Sequence, residues 1–222
     1  MSETLRKVAR IVVVDDHGIV RFGYAQLINQ EPAMDVVGMA EGEREGLELI
    51  KREHPDLAIV DLSLDEGDGI SLIRSIDSRK DGTKVLVISA HDEVLFAHRV
   101  LAAGGAGYIN KREAPQKLIQ GIETILHGGL YFSNALTDGL LRGRMGSPGT
   151  KSVEGIDSLS NRELQVFEQI GNGRSTRQIA DAMYLSVKTI ERHKENIKQK
   201  LGIEHAAQLA QHATSWVLGG DL

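Results

Sequence analysis

Five side chains that could act together, Asp15, Asp16, Asp61, Ser89 and Lys111, stand at the ends of four short apolar runs. If those runs are parallel strands of one open sheet, their ends converge on one edge, which is where such sheets bind ligands. Three carboxylates gathered there repel one another unless a cation sits between them, and an all-oxygen site of this kind suits Mg²⁺. A phosphoryl group could complete the shell of such an ion. Lys111 would offer that group a second positive charge, and the Ser89 hydroxyl could donate to one of its oxygens. A single Asp after a strand is as readily a turn or helix-cap residue. It is the conjunction, spread over separate strands in chain order, that points to chemistry.

The elements that must position these groups are written in the hydropathy pattern. Over the first 130 residues, short apolar runs alternate with longer amphipathic stretches, the pattern of a parallel sheet with helices on both faces. Strands are predicted near Arg10–Val14, Met34–Ala40, Leu57–Val60, Lys84–Ser89 and Ala106–Asn110. Helices are predicted near Gly18–Gln30, Arg44–His54, Ile70–Lys80, Val94–Ala103 and Pro115–His127. Pro115 suits a first helical turn and Gly128-Gly129 suits the stop.

The segment Arg142–Gly155 loses all periodicity and is rich in Gly, Ser and Pro, which marks a flexible linker. The predicted division is a first domain over 1–130, a linker over 131–156 and a second domain over 157–222. Beyond the linker there are no strand signals. Four helical patterns follow instead, near Ser160–Ile170, Ser175–Tyr184, Ser186–Leu201 and His205–Leu218.

Composition sets the outer limits. At 41% hydrophobic and 26% charged residues, the chain can build packed cores and a soluble surface. It has no cysteine, which excludes disulfides and thiolate metal sites and fits a reducing compartment. The apolar runs are far shorter than the roughly 20 residues of a membrane span, and the polar stretch Met1–Arg10 does not read as a signal peptide. A cytoplasmic protein without a membrane partner is expected. Residues 1–149 carry 17 Lys and Arg against 22 Asp and Glu, the whole of the net charge of −5, whereas residues 150–222 carry 9 of each. A neutral second part can still present a local basic face, so the acidic total does not exclude DNA.

The segments VVVDDHGIVRFG, LAIVDLSLDEGDG, VLVISAHD and GAGYINK together resemble the receiver domains of two-component response regulators, over residues 8 to about 130. The resemblance implies a flavodoxin-like α/β receiver with a five-stranded parallel sheet in the order 2-1-3-4-5. It implies that Asp61 is the phosphoacceptor for a sensor histidine kinase and that Asp15, Asp16, Asp61 and the Ser63 carbonyl hold Mg²⁺. Ser89 and Tyr108 would form a switch pair, although Tyr108 read alone is a half-buried strand aromatic. Ser63 and His91 would flank the water that attacks the phosphoryl group; His91 read alone is an exposed loop residue. At Asp65 the family commonly has a proline, so the loop's rigidity and local charge depart from the pattern.

In the second domain, two helices joined by a tight turn, the second of them basic, form the layout of a helix-turn-helix. Ile179, Ala180 and Met183 give the first an inward face, and Ile190 and Ile197 do so for the second. Ser186 suits the N-cap of the second helix. Residues 186–201 hold five Lys and Arg against two Glu. The whole stretch LSNRELQVFEQIGNGRSTRQIADAMYLSVKTIERHKENIKQKLGI resembles the LuxR-type helix-turn-helix. Joined to a receiver, it resembles the NarL/FixJ group of transcriptional regulators. By position, the resemblance turns Glu191, Arg192 and Glu195 toward base edges, with Lys188, Thr189, Lys194 and Lys198 on phosphates. Ala206, Leu209, Ala210 and Ala213 in the last helix suit either close packing between two helices or ordinary core contact.

The expected function is transcriptional control through double-stranded DNA by a non-enzymatic response regulator, switched by Mg²⁺-dependent phosphotransfer to Asp61 and pairing as a homodimer when active. The alternative is a phosphorylation-independent receiver that serves as a dimerisation module. An aspartyl-phosphate phosphatase would need an acid two residues after the nucleophile, where this chain has Ser63.

Overall fold

The computed structural model describes residues 8–64, 67–91, 93–133 and 155–218. Asp65 and most of the expected linker lie outside the described residues. The chain divides into two compact units, Met1–Met145 and Gly146–Leu222.

The first unit alternates β1 (Ala9–Val14), α1 (Gly18–Ile28), β2 (Met34–Ala40), α2 (Glu43–Glu53), β3 (Leu57–Val60), α3 (Gly69–Arg79), β4 (Lys84–Ser89), α4 (Glu93–Ala102), β5 (Gly107–Asn110) and α5 (Ala114–Leu126). The five strands form one sheet in the order β2-β1-β3-β4-β5, every pair parallel. All four residues of β3 are buried, as a central strand covered on both faces requires. Ile11, Val13, Leu57, Ile59, Leu86 and Ile88 point to the face that packs with α1 and α5. Val14 points the other way, where a Cβ on Gly46 of α2 would come within 3.0 Å of it. Tyr131, the first residue of the expected linker, donates to the Ala106 carbonyl and accepts from the Tyr108 amide, which extends the sheet edge by one bridge.

Register does the positioning. Val14 pairs with Val60, and Val60 with Val87, so β1, β3 and β4 end nearly in line. Asp61 continues the ladder by donating its amide to the Val14 carbonyl at 2.9 Å, and Lys111 donates to the Ser89 carbonyl at 2.8 Å. Asp15, Asp61 and Lys111 are therefore each the first residue past its strand, and Ser89 is the last residue of β4. Gly69 opens α3 against this edge: a Cβ there would lie 2.2 Å from the Asp61 carbonyl oxygen and 2.7 Å from Cα of Leu62. No other residue type lets α3 start so close to the β3 loop.

The second unit begins with a short 3₁₀ turn, Ile156–Ser158, and continues with α6 (Asn161–Gly171), α7 (Thr176–Ala182), α8 (Val187–Leu201) and α9 (Ala206–Val217). Capping boxes open α6, through Ser160 and Glu163, and α7, through Ser175 and Gln178. Ser186 caps α8 by accepting from the Thr189 amide. Ile179, Ala180, Ile190 and Ile197 are buried as the periodicity predicts, while Met183 is half-buried. Gly171 of α6 approaches α9 so closely that a Cβ would lie 2.4 Å from the Ala213 carbonyl. Leu209 and Ala213 are buried, whereas Ala206 and Ala210 are exposed. The small residues of α9 thus split between core contact and an open face.

Candidate functional site

At the carboxyl edge of the sheet, Asp15 and Asp61 are each 2% exposed, which removes both carboxylates from solvent. Lys111 reaches between them, its Nζ 2.8 Å from Asp15 Oδ2 and 2.7 Å from Asp61 Oδ2. Only the contact to Asp61 has hydrogen-bond geometry, which leaves Oδ2 of Asp15 buried without a hydrogen bond. Burial pushes the Asp61 carboxyl up, Lys111 opposes the rise, and Asp15 adds to it. Lys111 is pushed down by burial and up by Asp61 and Asp15, and the acids prevail, so the ammonium keeps its proton. One ammonium faces two buried carboxylates, so the pair Asp15 and Asp61 keeps an excess of negative charge.

Ligand atoms of Asp15, Asp16, His17 and Asp61 lie within 4.8 Å of one another, a spread that one ion can span. Oδ2 of Asp15 is buried and meets Lys111 as an ion pair without accepting a hydrogen bond, so it keeps lone-pair capacity for a cation. The donor set fits a divalent cation. The Ser63 amide donates to Asp61 Oδ1 at 3.2 Å, which orients the carboxylate.

Around Asp61 the structure also brings together Ser63, Ser89, His91 and Tyr108. Ser89 is fully buried, and its hydroxyl accepts weakly from the His91 amide at 3.4 Å. Tyr108 is buried, with its hydroxyl donating to the His91 carbonyl at 2.9 Å. Asn110 donates to the same carbonyl at 3.1 Å. Ser63 Oγ and His91 Nε2 share a hydrogen bond of 2.9 Å, which ties the β3 loop to the β4 loop. The role of Asn110 has no sequence signal beyond its place before Lys111. The closeness of His17 could have been suspected from its place directly after the paired acids.

On α8, Lys188, Glu191, Arg192 and Glu195 are exposed, and Thr189, Lys194 and Lys198 are half-buried. Thr189 shares a 2.8 Å hydrogen bond with the cap residue Ser186. Lys194 bonds Glu191 at 3.1 Å and Lys198 pairs with Glu195 at 2.7 Å, so both acids are largely neutralised along the helix. Burial nudges the Glu191 carboxyl up, but its bonds to Lys194 and to Thr176 outweigh this and hold it below its ordinary value. Thr176, at the start of α7, thereby fixes the spacing of the two helices, a link that no local pattern announces. Tyr184 and Val187, 85% and 48% exposed, place apolar surface where the turn enters α8. Tyr184 has φ +54°, a left-handed conformation unusual for an aromatic residue.

Comparison with known proteins agrees with both units. Residues 11–123 match the family model described as the response regulator receiver domain, and residues 157–213 match that of the bacterial regulatory proteins, luxR family. The oxygen regulatory protein NreC of Staphylococcus carnosus is 32% identical over 92% of this chain and 96% of its own length. The transcriptional regulatory protein DegU of Brevibacillus brevis is 30% identical over 90% of each chain. Among solved structures, a LuxR-family two-component response regulator from Aurantimonas sp. SI85-9A1 is 35% identical with a TM-score of 0.57, covering 62% of this chain and 99% of that one. RcsB of Salmonella enterica serovar Typhimurium, bound to the rprA promoter in the presence of phosphomimetic BeF₃⁻, is 26% identical with a TM-score of 0.58, covering 93% of this chain and 98% of its own. Two family matches in this order, with relatives of similar length aligned across both units, show that the chain belongs to the two-component response regulators of the NarL/FixJ group, with a receiver domain joined to a LuxR-type DNA-binding domain.

Proposed function

We propose that this response regulator is switched by phosphotransfer from a sensor histidine kinase to Asp61, and that the phosphorylated chain controls transcription as a DNA-bound homodimer in the cytoplasm. The observation that carries the reading is the buried pair Asp15 and Asp61 bridged by Lys111, with Asp16 beside them. Such a cluster is costly to hold unless a cation and a phosphoryl group use it. The proposed division is a receiver over 1–130, a linker over 131–156 and a DNA-binding domain over 157–222.

In the proposed step, a carboxylate oxygen of Asp61 attacks phosphorus, a P–O bond forms, the P–N bond of the kinase phosphohistidine breaks, and the imidazole leaves with the bond pair. Asp15, Asp16, Asp61 and the Ser63 carbonyl would hold Mg²⁺, which when bound supplies charge neutralisation for the transferring group. Lys111 exchanges its bond to Asp61 for one to a phosphoryl oxygen, and the Ser89 hydroxyl donates to another. Tyr108 follows that hydroxyl as the second member of the switch pair. Its hydroxyl is already anchored on the His91 carbonyl, which ties its position to the β4 loop. The Ser63 and His91 side chains border the path of hydrolytic water, and their hydrogen bond supports a joint role in setting the lifetime of the phosphoryl group.

On DNA, Arg192 suits bidentate contact with guanine and the Glu191 and Glu195 carboxylates suit cytosine amino groups. Lys188, Thr189, Lys194 and Lys198 serve phosphates. The ion pairs on the α8 surface are worth little in water and open readily for a phosphate.

The test is incubation of the full chain with a small phosphodonor and Mg²⁺, followed by mass spectrometry of the Asp61 peptide. One phosphoryl group should appear on the wild type and none on Asp61→Asn. Equal labelling of both refutes the assignment, and labelling of neither leaves the phosphorylation-independent module as the reading.

A further inference from the structure

We propose that His17 adds a nitrogen ligand to the acidic pocket, so that the site prefers first-row transition divalents such as Mn²⁺ and Co²⁺ beyond what its carboxylates alone would give. The inference deepens the reading above, because it rests on that pocket being the divalent-ion site.

The His17 ring does not merely neighbour the acids. Its Nδ1 lies 2.5 Å from Asp16 Oδ1 and 3.3 Å from Asp15 Oδ1, and its own amide donates to Asp15 Oδ1 at 2.9 Å. The amide bond pins the backbone of His17 to the carboxylate, so the ring is delivered to the pocket without a long flexible tether. Ligand atoms of His17 and the three acids fall within one 4.8 Å cluster. Ligands each about 2.1 Å from an ion are about 3 Å apart when adjacent and about 4.2 Å apart when opposite, so the cluster's widest pair must close by about 0.6 Å and the contact of His17 with Asp16 must open by about 0.5 Å. Two further observations point to an ion as the occupant. Asp15 Oδ2 and Asp61 Oδ2 share the single ammonium of Lys111, at 2.8 Å and 2.7 Å, so the two buried carboxylates keep an excess of negative charge. The His17 side chain is 53% exposed, so the cluster is open to entry from its side.

The chemistry follows from the donor type. Mg²⁺ takes oxygen ligands and keeps several waters, and gains little from an imidazole. Mn²⁺ and Co²⁺ accept imidazole nitrogen beside carboxylate oxygen, with affinity rising from the first to the second. A pocket of three carboxylates would separate these ions mainly by size, whereas one with His17 adds a nitrogen bond that only the transition ions exploit. Binding would open the present contact between Nδ1 of His17 and Oδ1 of Asp16 until both atoms face the ion.

The experiment uses the full chain, wild type and His17→Ala, with Mg²⁺, Mn²⁺ and Co²⁺ titrated separately by calorimetry, and pulsed electron paramagnetic resonance of the Mn²⁺-loaded protein. We expect His17→Ala to lose about tenfold or more in affinity for Co²⁺ and several-fold for Mn²⁺, with Mg²⁺ changed by no more than about twofold. A nitrogen coupling to Mn²⁺ should be present in the wild type and absent from the variant. A loss that is equal for all three ions makes His17 an orienting group for the acids and overturns the proposal. So does a nitrogen coupling that survives in His17→Ala, because the nitrogen then belongs to another residue. Failure of Mg²⁺ to displace Mn²⁺ from the wild type, together with unchanged binding in Asp61→Asn, would instead refute the pocket itself as the divalent site.

Discussion

Replacing Lys111 by Met removes the one ammonium between two buried carboxylates while keeping a side chain of similar length. With Asp15 and Asp61 each 2% exposed, the variant must either hold two uncompensated charges or protonate one of them. The second route caps the cost. Bringing a carboxylate with an ordinary value of 3.8 to the protonated state at pH 7 takes 3.2 pH units, or about 4 kcal/mol at 1.36 kcal/mol per unit. Breaking a buried pair by removing one partner typically costs about 3–5 kcal/mol, so a loss of about 3–4 kcal/mol is expected at pH 7 without added metal. The sign of the pH dependence follows from Asp61, whose carboxyl is raised in the fold. A raised acid destabilises the fold above its folded value and ceases to do so as pH falls through that value toward the ordinary one. At pH 5 the cap is 1.2 units, so the loss in Lys111→Met should shrink to below about 2 kcal/mol. Amide hydrogen exchange of the β3 peptide in the full chain measures this, since its slowest amides report opening of the whole unit. A variant as stable as wild type at pH 7, or one whose deficit is the same at pH 5, would refute the electrostatic account of the pocket.

Three further outcomes are expected. Gly69→Ala drives a Cβ into the Asp61 carbonyl and should cost the first unit about 1–3 kcal/mol by the same exchange measurement while slowing phosphorylation, because the displaced backbone carries the phosphoacceptor. In the second unit, burial raises the Glu163 carboxyl, but bonds from Lys200 and Ser160 outweigh it and hold it below 4.5. Its stabilising contribution is therefore present above that value and is lost as pH falls through the lowered one. Lys200→Met should cost about 1–2 kcal/mol at pH 7 and flatten this acid limb, as read by fluorescence of the single tryptophan, Trp216, which packs on Phe167. Arg192→Ala should cost about 1–3 kcal/mol on a selected DNA site and relax preference at one base pair, whereas Lys188→Ala should weaken all duplexes alike and lower the salt slope by about one.

What was legible in the sequence follows from where burial acts. All five strands end where predicted; the central Leu57–Val60, buried on both faces, writes itself as an unbroken apolar run, whereas the edge strand Met34–Ala40 is buried only at its two ends. The residues after the strands follow automatically, which is why the sequence alone places Asp15, Asp61 and Lys111 at this edge. Helix starts were less legible: α2 begins at Glu43 and α3 at Gly69, one residue before each predicted start, and α7 stops at Ala182 because Tyr184 turns left-handed. Contacts between loops were legible only where the family resemblance placed Ser63 and His91 about one water, and their bonds were not. The bond between Ser63 and His91, the double anchoring of the His91 carbonyl by Tyr108 and Asn110, and the reach of Lys194 to Thr176 depend on backbone paths that no periodicity encodes. The resemblance assigned Lys194 and Lys198 to phosphates, and the helix surface shows why that assignment needs an opened ion pair.

The central claim is that phosphorylation of Asp61 governs DNA binding by the same chain. It is tested by measuring the affinity of the full chain for a site selected from random duplexes, at fixed salt, before and after treatment with a phosphodonor and Mg²⁺, in wild type and Asp61→Asn. Coupling between two such sites is commonly about 1–3 kcal/mol, so the wild type should bind at least fivefold more tightly once phosphorylated, while Asp61→Asn stays unchanged. Wild-type affinity that does not move when the Asp61 peptide is shown to be phosphorylated, or a variant that responds equally, would contradict it.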